Sequence, residues 1–198
     1  MLTGFCEDIY LRKGKGRMIE DIFMRIRDAE DFIEVNHILD ELMQEEPELI
    51  RRANNVYQYQ DHMINTGLSF IMGAHAAGLR RVSQYGLSCA PELIVFRRLK
   101  NQTRCFLITR IPGMTDQPPM PWDMRPVGMP GREDFARVMD DVEALLSAHL
   151  FNTAMLERRT WNMLPSGQII ISDWSAVVTM PEKWEEKYRQ QIKALCGM

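Results

Sequence analysis

Hydrophobic and polar positions along the chain fall into short blocks whose spacing predicts its elements. Near the N-terminus, Asp8 to Lys13, Met18 to Ile26 and Phe32 to Val35 are rich in β-branched and aromatic residues and predict three strands. A helix is expected from Leu39 to Glu46, where Pro47 suits the first turn of a further helix. In that second helix Leu49, Ile50, Ala53, Val56 and Tyr57 recur at helical spacing and predict one buried face. The stretch through Gly67, Gly73 and Gly78 reads as helix weakened by its glycines. Pro91 to Arg97 and Arg104 to Ile111 flank a polar turn, Lys100-Asn-Gln-Thr103, and predict a hairpin. From Met114 to Gly131 the chain is rich in proline and glycine and shows no packing period, which predicts a linker. Phe135, Val138, Met139, Val142, Leu145 and Leu146 give the 3-4 repeat of a helix over Glu133 to Leu150. One more helix is expected over Glu182 to Leu195.

Between those two helices lies the most informative segment. Met163 and Leu164, a Pro165-Ser-Gly167 turn and the apolar run Ile169 to Ile171 predict a tight hairpin. That places Asn162 at the entry of one strand and Asp173 at the exit of the other, with Glu157 on the loop before. Paired strands lie about 5 Å apart, so an amide oxygen and a carboxylate are expected to converge there. Two or three hard oxygen donors with open water positions suit magnesium held through substrate phosphates.

Composition narrows the class without naming it. The chain has 198 residues, 45% hydrophobic and 26% charged, as expected of a folded domain or two small lobes. A net charge of −3 gives no ground for nucleic-acid binding. Cys6, Cys89, Cys105 and Cys196 form no CxxC pair, so zinc is not expected and reduced, partly buried thiols are. No charged-then-apolar leader is seen, and Gly67 to Leu79, the longest weakly polar stretch, is too short to span a bilayer. A cytoplasmic protein, or one secreted as an effector without a cleaved signal, is expected. Fifteen methionines favour adaptable core filling.

The pattern Glu157-Arg-Arg-Thr-Trp-Asn162, followed by the hairpin and Asp173-Trp174, resembles the catalytic loop and metal-binding strand pair of the protein-kinase-like fold. The Asp-Trp ending is more similar to the aminoglycoside and lipopolysaccharide kinase branches. Ala144 to His149 looks like the end of the helix that enters that loop, and Arg110-Ile-Pro-Gly113 resembles a strand-to-hinge segment. The resemblance implies an α+β, two-lobed fold. It divides into an N-lobe at 1–113 with a five-stranded antiparallel sheet and inserted helices, a linker at 114–131, and a shortened, mostly helical C-lobe at 132–198. It implies ATP and Mg2+ as cofactors, Asn162 and Asp173 as metal ligands, and Glu157 in the catalytic acid position.

Other positions depart from the family. Lys13-Gly14-Lys15-Gly16-Arg17 resembles a phosphate loop lacking its third glycine, with Gly14, Lys15 and Gly16 as the cofactor-binding residues. Counted along the third strand, Asn36 stands where the family places lysine, and a neutral amide does not neutralise phosphate as an ammonium does. The lysine's glutamate partner falls near Asn54 and Asn55. Glu157 replaces aspartate, and a displacement of about 1 Å can cost on the order of a hundredfold in rate. His149 reads as a helix-end residue, and His37, His62 and His75 show no ligand spacing. Three readings follow: a pseudokinase acting through a protein partner, an active phosphotransferase using Glu157, Asn162 and Asp173, and a non-catalytic helical interaction protein.

Overall fold

A computed structural model describes residues 17–100, 103–117, 119–121 and 132–198. The fold is α+β, with five α-helices and a five-stranded antiparallel sheet among the described residues. The chain divides into two compact units, residues 1–73 with 93–111 and residues 74–92 with 112–198.

The first unit opens on two helices, α1 (Arg17–Ile26) and α2 (Phe32–Glu45). Both correct the expected strands at Met18 to Ile26 and Phe32 to Val35. The buried residues of α1 are Ile19, Ile22, Phe23 and Ile26, the i, i+3, i+4, i+7 stripe of a helix. A strand would have sent alternate residues to opposite faces. Asp31 starts α2 by accepting the N–H groups of Ile33 and Glu34. The expected strand at Asp8 to Lys13 lies outside the described residues.

The sheet comprises β1 (Leu49–Ala53), β2 (Val56–Tyr59), β3 (His62–Leu68), β4 (Glu92–Arg98) and β5 (Arg104–Arg110), in the order β1-β2-β3-β5-β4. Leu49, Ile50, Ala53, Val56 and Tyr57 therefore lie on strands, not on the expected helix after Pro47. Asn54 and Asn55 form the turn between β1 and β2, since Ala53 pairs with Val56. Tyr57, Ile64, Phe106, Ile108 and Val95 belong to one core with the stripes of α1 and α2. Each such fully buried side chain contributes about 1.5–3 kcal/mol. The five-strand count is as expected, but β1, β2 and β3 come from residues 49–68. The β4–β5 hairpin falls where the sequence put it.

Between β3 and β4 runs α3 (Ser69–Val82), whose residues from Ala74 onward belong to the second unit. There follow β6 (Met120–Pro121), α4 (Arg132–Ser147), β7 (Leu150–Asn152), β8 (Trp161–Met163), β9 (Ile169–Ile171), β10 (Val177–Thr179) and α5 (Glu185–Cys196). Strand β7 pairs with β10, and β8 lies between β6 and β9. Helix α4 ends before the expected Leu150: His149 takes a left-handed φ of 53° and turns the chain into β7. Residues 122–131, most of the expected linker, lie outside the described residues, as do Gly14, Lys15 and Gly16. No described helix is long and apolar enough to cross a membrane.

Candidate functional site

The hairpin of β8 and β9 forms in the register the sequence implies, with Trp161 opposite Ile171, Asn162 opposite Ile170 and Met163 opposite Ile169. Its turn needs a glycine, because Gly167 has φ 88° and donates its N–H to Leu164 O. Trp161 and Trp174 are fully buried and pin the two strands from within. Trp161 Nε1 donates to Met155 O at 3.0 Å, and Trp174 Nε1 to Ile171 O at 2.9 Å.

Asn162 lies inside β8 rather than at its entry. Its amide nitrogen donates to Thr160 O at 3.3 Å. Pairing runs one step beyond β9, through Ser172 N–H to Thr160 O, so Asp173 follows the last paired residue of the hairpin. The Asp173 carboxylate turns back on its own chain: Oδ1 accepts Ser175 N–H at 2.8 Å and Ser175 Oγ–H at 2.7 Å. Burial pushes its pKa up, but the Ser175 bonds, with the charges of His75 and Arg159, outweigh it and hold the carboxyl below 3.8. Both Asn162 and Asp173 bring the hard oxygen donors that magnesium takes; the Asn162 bond uses its nitrogen and the Ser175 bonds use only Oδ1 of Asp173. Among the described residues no group of three His, Cys, Asp or Glu side chains stands ready for a metal.

Glu157 follows a short 3-10 turn, Thr153–Leu156, and its Oε2 accepts Arg159 Nε–H at 2.5 Å. Both side chains are largely exposed, so this pair adds at most about 1 kcal/mol. Asn36 lies on α2, not on a third strand, and the lysine position counted onto it does not hold. Its amide donates to Asn54 O and Asn55 Oδ1, tying α2 to the β1–β2 turn. Asn55 thus serves that turn, not a helix.

Three residues to which the sequence assigns no site role hold the Asp173-Trp174 segment in place. Asn152, with no exposed surface, donates to Asp173 O at 2.7 Å and accepts Ala154 N–H at 3.1 Å. His75, midway along α3, accepts the backbone N–H of Trp174 at Nδ1. Gly78, one turn further, lets Trp174 O approach so closely that a Cβ there would sit 1.6 Å from it. Nearby, Asp141 of α4 is buried and accepts Ser88 N–H, Ser88 Oγ–H and Cys89 N–H, while Cys89 O accepts Ile171 N–H. The His, Gly and Asn have no local motif in sequence; only their distant partners give them a role.

Thiol chemistry is disfavoured at the cysteines described. Cys89, Cys105 and Cys196 are free and buried, and burial pushes the thiols of Cys105 and Cys196 up to about 11.

No family model matches the chain, and no curated protein matches it in sequence. Among solved structures it is similar to WbdD, described as a bifunctional kinase-methyltransferase. One WbdD crystal structure shares 12% identity at a TM-score of 0.48, covering 71% of this chain and 34% of WbdD. A WbdD complex with the kinase inhibitor LY294002 gives 12% identity and a TM-score of 0.48, over 76% of this chain and 37% of WbdD. A third gives 12% identity and a TM-score of 0.44. The chain thus spans little more than a third of WbdD at most.

Proposed function

We propose that this chain is a divergent protein with a two-lobed, kinase-like fold, a pseudokinase that works by binding a protein partner. The acid-x4-Asn pattern, the β8–β9 hairpin in register and the Asp-Trp that follows support the kinship. So does the order of three strands, α3 and the β4–β5 hairpin in the sheet. The lobes are those assigned from sequence, 1–113 and 132–198, joined by 114–131. One observation carries the choice of binding over catalysis. Asp173, the residue in the metal position, gives its Oδ1 to Ser175 N–H and Oγ–H while Asn152 and His75 hold the backbone on either side. A group so employed acts as a bracket of the fold.

The competing reading is an active ATP-dependent phosphotransferase. There Glu157 is the base, Asn162 and Asp173 take magnesium, and Gly14, Lys15 and Gly16 cradle phosphate. What favours it is that both members of the metal pair keep hard oxygen donors on one hairpin.

Phosphate release from ATP with Mg2+ separates the two. Turnover absent from the wild-type chain, or unchanged in Asp173→Ala and Glu157→Gln, is expected. Turnover lost in both variants would overturn the proposal. Melting with millimolar ATP and Mg2+ reports nucleotide binding separately, since a ligand of the folded state raises Tm by mass action. A partner lost on disturbing residues 114–131 would instead favour the plain interaction protein.

A further inference from the structure

We draw no further inference here: the strongest candidate, the surface patch of exposed apolar side chains Phe70 and Ile71 on the first turn of α3, carries nothing because nothing in the structure shows what covers it.

Discussion

His75 Nδ1 accepts the backbone N–H of Trp174 at 3.1 Å, joining residues 99 positions apart in sequence. The bond requires an unprotonated Nδ1, so His75 holds the segment only while neutral. Burial lowers its pKa below 6.5, and the nearby Asp173 charge raises it without overcoming that. Through this contact the middle of α3 and the residue after Asp173 answer to the same proton.

Stability should therefore fall in mild acid. Below about pH 6.5 the unfolded chain takes up a proton that the folded His75 refuses, so this contribution is full above that pH and declines below it. Asp173 acts in a lower window: its depressed pKa adds stability above 3.8 that is lost as pH falls through the folded value. Urea midpoints at pH 7.5 and 5.5 should differ in the wild type and differ less in His75→Gln, which keeps an acceptor but does not titrate. Equal sensitivity of the two proteins would remove His75 as the cause. At pH 7.5, His75→Leu should cost about 1–3 kcal/mol, the penalty of an unsatisfied buried N–H.

Asp141 should rank among the most costly single losses. It accepts two backbone N–H groups and one hydroxyl at 2.7–3.0 Å from a residue that is 6% exposed. Asp141→Ala leaves those donors facing a cavity and should cost about 3 kcal/mol, appearing as a lower urea midpoint with an unchanged m value. A loss under about 0.5 kcal/mol would show that water replaces the carboxylate.

At Asn152 the sign of the pH effect is reversed. Asn152→Asp retains an acceptor for Ala154 N–H but turns the donor facing Asp173 O into a second acceptor. In a site without exposed surface an ionised carboxylate is penalised and its pKa rises. The variant should be destabilised by about 3 kcal/mol at pH 8 and should recover part of that as pH falls and the acid protonates. A variant that only loses stability on acidification would contradict the hydrogen-bond assignment.

These contacts explain what the sequence disclosed and what it hid. The β4–β5 and β8–β9 hairpins, α4 and α5 were legible because turn residues and periods agree within each segment. In α1 the Ile and Phe content speaks for β, while the spacing of Ile19, Ile22, Phe23 and Ile26 speaks for a helix. Period was the better guide. Leu49 to Tyr57 errs the other way: a 3-4 spacing runs across what are two strands, and Asn54-Asn55 is the turn between them. In the candidate site the hairpin carrying Asn162 was visible, and so was Asp173. His75, Asn152 and Asp141 were not, because their partners lie 99, 21 and 53 residues away and no local pattern encodes them.

Two glycines of α3 make opposite predictions from one substitution. In a helix interior Gly→Ala gains about 1 kcal/mol from restricted backbone freedom, provided the methyl group fits. At Gly73 the nearest atom to an added Cβ is Phe96 Cζ at 3.4 Å, the far end of a side chain, so Gly73→Ala should be neutral to stabilising by up to about 1 kcal/mol. At Gly78 the added Cβ meets Trp174 O at 1.6 Å and Trp174 C at 2.7 Å, both backbone atoms that His75 also helps to fix. The overlap exceeds what a rotamer change relieves, and overpacking of this kind costs about 1–3 kcal/mol or more, which outweighs the propensity gain. Thermal melts of the two variants should thus move in opposite directions. If Gly78→Ala melted at or above the wild type, helix α3 could not lie on Trp174 as closely as the geometry requires. The bracket around Asp173 would then lose one of its three supports.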